Sequence, residues 1–137
     1  MGWNTIVAYT FENHSALDES GNNNHGYVEL PAANRWIDAP VPELATAIKF
    51  DAPEARITVE PNETLSGWEG FRVRAVFKPD AFDRRINLVE GDRSFAFFVE
   101  PDGRLKGTIY DGSRWYGVES NPGTILTGKW YAAESTE

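Results

Sequence analysis

The run Val7-Ala8-Tyr9-Thr10-Phe11-Glu12, followed by Ala16-Leu17-Asp18-Glu19-Ser20-Gly21-Asn22-Asn23-Asn24-His25-Gly26-Tyr27-Val28, decides how this chain is read. The first piece alternates apolar and polar residues like a half-buried strand. The second crowds Asp, Ser, Asn and Gly together and returns at once to a β-like run. Such a loop has two uses. Its Asn and Gly residues accept left-handed backbone and bond their own main chain, which makes a tight structural turn. Its oxygens also suit a hard cation such as calcium, with Asp18, Ser20, Asn22 and Asn24 at alternate positions as candidate ligands. The spacing echoes a helix–loop–helix calcium loop, but the sixth position is Asn23 rather than Gly and β-like runs flank it, so that reading is rejected. The turn and a β-loop calcium site both stay open.

Outward from this loop the chain reads as short β segments. Strands are expected over residues 6–11, 26–30, 47–50, 56–59, 71–78, 86–90, 95–100, 105–110, 114–119 and 130–134. Turn residues divide them, among them Pro101-Asp102-Gly103, Asp111-Gly112 and Asn121-Pro122-Gly123. Alternation is clean in Phe71-Arg72-Val73-Arg74-Ala75-Val76-Phe77-Lys78: Phe71, Val73, Ala75 and Phe77 face one side, Arg72, Arg74, Val76 and Lys78 the other. Residues 85–119 read as a meander of hairpins. The one helical candidate is 41–47. Strands at this spacing predict an all-β, antiparallel sandwich or barrel.

Composition sets the outer limits. The 137 residues make one domain of ordinary size, and 41 % hydrophobic residues supply a core. A net charge of −8 argues against nucleic acid or an anionic membrane as partner. It suits neutral ligands, cations or a basic protein. The absence of cysteine removes disulfides, thiolate metal sites and a cysteine nucleophile. No apolar run reaches the roughly 20 residues of a membrane span. The first residues lack a basic region followed by an apolar core. The expectation is therefore a cytoplasmic protein, or one whose leader lies outside this numbering. Asn13-His14-Ser15 and Asn62-Glu63-Thr64 match the glycosylation triplet and are read as chance matches.

The order of the motifs carries a resemblance. Asp18–Gly26 fits a D-x-S-G-N-x-N-H-G loop after an apolar strand. The pieces 48–59, 71–79 and 128–133 follow in sequence. This resembles the concanavalin A-like jelly-roll superfamily, in its laminin-G-like or pentraxin-like branch. The resemblance implies an antiparallel jelly-roll β-sandwich over residues 1–137 as a single domain, or as the N-terminal portion of a larger one. It also marks a departure. The family's C-terminal strands are absent, and its usual histidine after the late Trp is Tyr131 here. The expected sandwich is thus incomplete in this chain, with a second protein chain completing or covering it.

Chemistry-bearing residues are sparse. His25, beside Gly26, reads as a packed histidine bonded to the loop backbone, since no G-x-S-x-G nucleophile accompanies it. A glycoside hydrolase needs paired acids on one strand face. Glu90 with Asp92, and Glu100 with Asp102, read instead as turn acids. Tyr110, Trp115 and Tyr116, around the Asp111-Gly112 turn, are the candidate aromatic platform for a sugar, against the alternative of core or interface packing. The expected function is a non-catalytic binding or assembly module. It recognises carbohydrate or a partner chain, with a structural calcium ion in the loop. The alternative is an accessory subunit or domain of a larger heteromeric enzyme, and the third reading is a glycoside hydrolase.

Overall fold

The computed structural model describes residues 4–29, 36–39, 46–50, 55–65, 70–81, 83–91 and 94–136. They fall into two compact units, Met1–Trp68 and Glu69–Glu137. Among the described residues the regular structure is ten strands and two short 3-10 turns, all sheets being antiparallel. The architecture is all-β and consistent with a β-sandwich. Among the described residues no helix is long and apolar enough to cross a membrane.

In the first unit, β1 (Tyr27–Glu29) pairs with β4 (Arg56–Thr58), Val28 opposite Ile57. β2 (Trp36–Asp38) pairs with β3 (Thr46–Ile48), Ile37 opposite Ala47. β2 was not expected, because three residues are too few to show a period. Of the helical candidate 41–47, residues 41–45 lie outside the described residues, and Thr46 and Ala47 belong to β3. Residues 6–11, expected as a strand, join no ladder. Their backbone is bonded instead by the loop that follows, whose side chains take the place of a neighbouring strand.

The second unit follows the sequence more closely. β6 (Ile86–Gly91), β7 (Phe95–Val99), β8 (Leu105–Tyr110) and β9 (Trp115–Glu119) form a four-stranded meander. β5 (Arg72–Phe77) pairs with β10 (Tyr131–Thr136) in a separate two-stranded sheet. β7 reads Phe-Ala-Phe-Phe-Val without alternation, as a strand buried on both faces does. Ala96, Phe97, Phe98 and Val99 are all buried. In β5 the alternation holds: Val73, Ala75 and Phe77 are half-buried, while Arg72, Arg74 and Val76 are exposed.

Turn chemistry fixes the hairpins. Asp111 accepts bonds from the Ser113 and Arg114 N–H groups and the Ser113 hydroxyl, which closes the β8–β9 turn. Those bonds hold its carboxyl down at about 2. At the β7–β8 turn, Gly103 has φ +87°, and a Cβ there would stand 2.6 Å from the Ile125 carbonyl oxygen. Only glycine meets both demands. The segment after β9 thereby docks on this turn, with Ile125 N–H donating to Gly103 O at 3.0 Å and its side chain buried.

Candidate functional site

The Asp18 loop is built around one carboxylate. Asp18 Oδ1 accepts from the Ala8 N–H at 2.8 Å and the Ser20 N–H at 2.9 Å. Oδ2 accepts from the Asn24 N–H at 2.9 Å and lies 2.8 Å from the Ser20 hydroxyl. Burial by itself would push this carboxyl up. The bonds from Ser20, Ala8 and Asn24 outweigh burial and hold it below the ordinary carboxylate range. The buried group is therefore a charged acceptor surrounded by donors.

Asn24 is the second hub and is only 2 % exposed. Its Nδ2 donates to Ile6 O at 3.0 Å and to Thr64 Oγ1 at 2.9 Å. Its Oδ1 accepts from Asn62 Nδ2 at 2.6 Å, and its carbonyl accepts from the Tyr9 hydroxyl at 2.5 Å. Burial, with the nearby Asp18 charge, pushes the Tyr9 phenol up to about 12. Asn22 Nδ2 donates to Thr5 O at 3.0 Å. His25 Nδ1 accepts from the Asp18 N–H at 2.9 Å, which puts the ring's proton on Nε2. Gly26 admits the close approach of β4: a Cβ there would stand 2.4 Å from Ile57 Cγ2.

These partners bear on both loop readings. The structure brings Asp18, Ser20, Asn22 and Asn24 together, but with their donors pointing inward. Both oxygens of Asp18 are taken, and Asn22 and Asn24 present N–H groups to the backbone of residues 5 and 6. The loop's groups are thus bonded to one another and to the backbone of residues 5 and 6, whereas calcium takes six to eight converging oxygens. Among the described residues no three His, Asp or Glu side chains converge on a common point either. Asn62 and Thr64 joined the hub from some forty residues away, and no local sequence signal marks them. The Asn62 amide donates to Asn24 Oδ1 and Glu60 O, so both of its protons are engaged. Of the other triplet, the Asn13 side chain lies outside the described residues.

The aromatic candidates divide between two faces. Residues opposite each other in register share a face. Tyr110 stands opposite Trp115, their ring centroids 5.2 Å apart, with Trp115 49 % exposed. Tyr116 stands opposite Ile109, on the other face. The Arg114 guanidinium covers its ring at 4.6 Å and donates to its hydroxyl at 2.8 Å. The three therefore make no single platform: Tyr110 and Trp115 form a pair, and Tyr116 belongs to the face shared by Phe97, Gly107 and Val118.

That shared face is the inner one, because Phe71, just before β5, packs on Phe95 at 4.9 Å and β10 lies against β8. The cover is incomplete. Phe97 and Val99 are buried, but Tyr116 is 43 % and Val118 63 % exposed on β9, and Val89 is 38 % exposed on β6. Two strands span about 10 Å and four span about 19 Å, so among the described residues the two-stranded sheet is too narrow to cover both flanks of the meander. Beside β10 this leaves an open cleft of about 250 Å³, lined by Phe97, Leu105, Gly107, Val118, Glu134 and Thr136.

Of the candidate acids, Glu100 and Asp102 stand at the β7–β8 turn. Asp102 bonds Arg104, which lowers its carboxyl below the usual range, and Glu100 is a turn residue. Asp92, the partner proposed for Glu90, lies outside the described residues. Comparisons of this chain with protein-family models, with curated proteins and with solved structures find no match.

Proposed function

We propose that this chain is a non-catalytic assembly module whose second unit is completed by a strand from a partner chain. The observation that carries this reading is the exposure of Val118 on the inner face of β9. Val118 stands in the same row as the buried Phe97, yet it is 63 % exposed, and Tyr116 on the same face is covered only by Arg114 of its own hairpin. Covering the exposed part of Val118 alone is worth about 1–2 kcal/mol. The finer fold reading, a jelly roll of the concanavalin A-like kind, rests on the Asp18–Gly26 loop and the order of the strands. In that reading the loop is a structural hub that ties residues 5–9 to residues 62–64.

The test is native mass spectrometry of the purified protein beside Val118→Lys. The module reading expects a mass above the 15.3 kDa of one chain that falls to 15.3 kDa in the variant. A wild-type monomer with slowly exchanging β9 amides would refute it. A second reading, carbohydrate binding, is favoured by the Tyr110–Trp115 pair, which offers an exposed ring for stacking on a sugar face. Quenching of tryptophan fluorescence by oligosaccharides, lost in Trp115→Ala, is its test.

A further inference from the structure

All five residues of β9 are exposed. The run Trp115-Tyr116-Gly117-Val118-Glu119 carries no Lys or Pro, the residues that commonly guard an outer strand, and its one charge is Glu119 at the end. β6, at the other end of the four-stranded order, is bulged between Asn87 and Val89, which bends a strand edge out of line. The hydrogen-bond phase of β9 follows from its two ends. Arg114 O accepts from the Asp111 N–H at 3.2 Å, and the Ser120 N–H donates to Leu105 O at 2.9 Å. Even-numbered residues therefore turn their main-chain groups toward β8. The N–H and C=O groups of Trp115, Gly117 and Glu119 point away from β8, along the outer edge. Tyr116 and Val118 carry their side chains on the inner face, Trp115 and Glu119 on the outer one.

This phase and this side-chain order complement themselves. A second β9, antiparallel about a two-fold axis through Gly117, sets Gly117 opposite Gly117 and Trp115 opposite Glu119. The outward groups of those residues then exchange about six main-chain bonds. Tyr116 falls opposite Val118 twice, and an aromatic beside a β-branched residue is a favourable cross-strand pair. Arg114 falls opposite Ser120, so no like charges meet across the strands. A slip of one residue sends Val118 to the outer face of the neighbouring strand. A slip of two leaves part of β9 unpaired and, in one direction, sets Val118 against Arg114. The register centred on Gly117 is the one that pairs the whole strand.

We propose, resting on the assembly-module reading above, that the strand completing the second unit is β9 of a second copy of this chain, paired antiparallel about Gly117. The two meanders then run on as one sheet of twice the width. Tyr116 of each copy covers Val118 of the other, which accounts for the 63 % exposure of Val118 in the single chain. The contact is isologous and closes on itself, so it ends at the dimer.

The test combines native mass spectrometry, amide exchange and cross-linking of the full chain. The wild type is expected at twice 15.3 kDa. The Trp115, Gly117 and Glu119 amides should slow about tenfold once about nine-tenths of the chain is dimeric, while Tyr116 and Val118, already bonded to β8, stay as they were. The chain has no cysteine, so Tyr116→Cys and Val118→Cys each add a single thiol. Opposed residues at these positions bring their Cα atoms to about 4.5 Å, within disulfide reach, whereas like residues of the two copies stand diagonally at about 7–8 Å. Under a copper–phenanthroline oxidant the mixed variants should therefore cross-link about tenfold faster than either variant alone. Faster cross-linking of one variant with itself, or a dimer that no pair cross-links, would overturn the pairing about Gly117. A mass of 15.3 kDa plus that of a different chain, or a monomer whose outward β9 amides exchange fast, would overturn the second copy and leave the module reading standing. A 15.3 kDa monomer whose outward β9 amides exchange slowly would remove both.

Discussion

Replacing Asp18 by Asn tests the loop at its centre. The substitution keeps the shape and removes the charge and one acceptor oxygen. With the remaining oxygen at the Oδ1 position, the Ala8 and Ser20 N–H groups keep a partner, now a neutral one. The new amide nitrogen can donate to Ser20 Oγ, whose proton is then free to serve Ile6 O at 2.8 Å. The Asn24 N–H, in a residue 2 % exposed, then faces another donor. Leaving that group unpaired costs about 1–3 kcal/mol, and trading two charge-assisted bonds for neutral ones costs about 1 kcal/mol more each. The expected loss is about 3–5 kcal/mol, a fall in Tm on the order of 10 °C. Urea unfolding followed by far-ultraviolet circular dichroism measures it. The pH dependence gives a second reading. The folded-state Asp18 carboxyl is lowered, so its contribution is present above the ordinary carboxylate pKa and drains away as pH falls through the folded value. Wild type and Asp18→Asn should therefore converge in stability as the solution is acidified. A variant within about 0.5 kcal/mol of wild type at neutral pH would refute the hub, because that is the range of surface changes that touch nothing.

Other outcomes follow from the same geometry. Millimolar calcium should leave the wild-type unfolding midpoint in place; a rise that Asp18→Asn abolishes would show that the loop rearranges to expose its oxygens. The Tyr9 phenol should resist ionisation until near pH 12, a late phenolate absorbance step that Tyr9→Phe removes. Its raised pKa means that the stabilising neutral phenol is lost only as pH climbs from about 10 through about 12. Gly103→Ala and Gly112→Ala should separate clearly in urea unfolding. Both have positive φ, which costs about 1–2 kcal/mol for a side chain, but only at Gly103 does the new Cβ also strike backbone, at Ile125 O. Equal costs would mean that the docking of residues 121–125 is not tight.

The second unit was the more legible of the two in sequence. Strands β5 to β9 announce themselves through period-2 alternation, an unbroken apolar run at Phe95–Val99, and Asp-Gly turns that close hairpins between neighbours. Those are local signals, and the pairings they encode are local too. The pairing of β10 with β5 spans more than fifty residues and has no such signal; it is settled by which apolar faces meet, Phe77 stacking on Tyr131 at 5.9 Å. The same limit explains the aromatic candidates. Sequence placed Tyr110, Trp115 and Tyr116 around one turn, but strand alternation sends Trp115 and Tyr116 to opposite faces, and only the position of the other sheet says which face is inner.

The loop shows the division most sharply. Its composition alone determined that Asp18–Gly26 would be rich in side-chain hydrogen bonds, because Asp, Ser and Asn carry the groups and Asn and Gly accept the backbone. It could not determine the direction of those bonds. An amide presents an oxygen to a cation or an N–H to a carbonyl according to what lies opposite. Here the carbonyl of Ile6 and the side chains of Asn62 and Thr64 lie opposite, brought there by the tertiary fold. Sequence thus determined an all-β chain with a polar hub. Only the tertiary structure turned that hub inward on its own backbone and left Val89 and Val118 exposed on the β6–β9 meander, because bond direction and strand cover depend on neighbours remote in the chain.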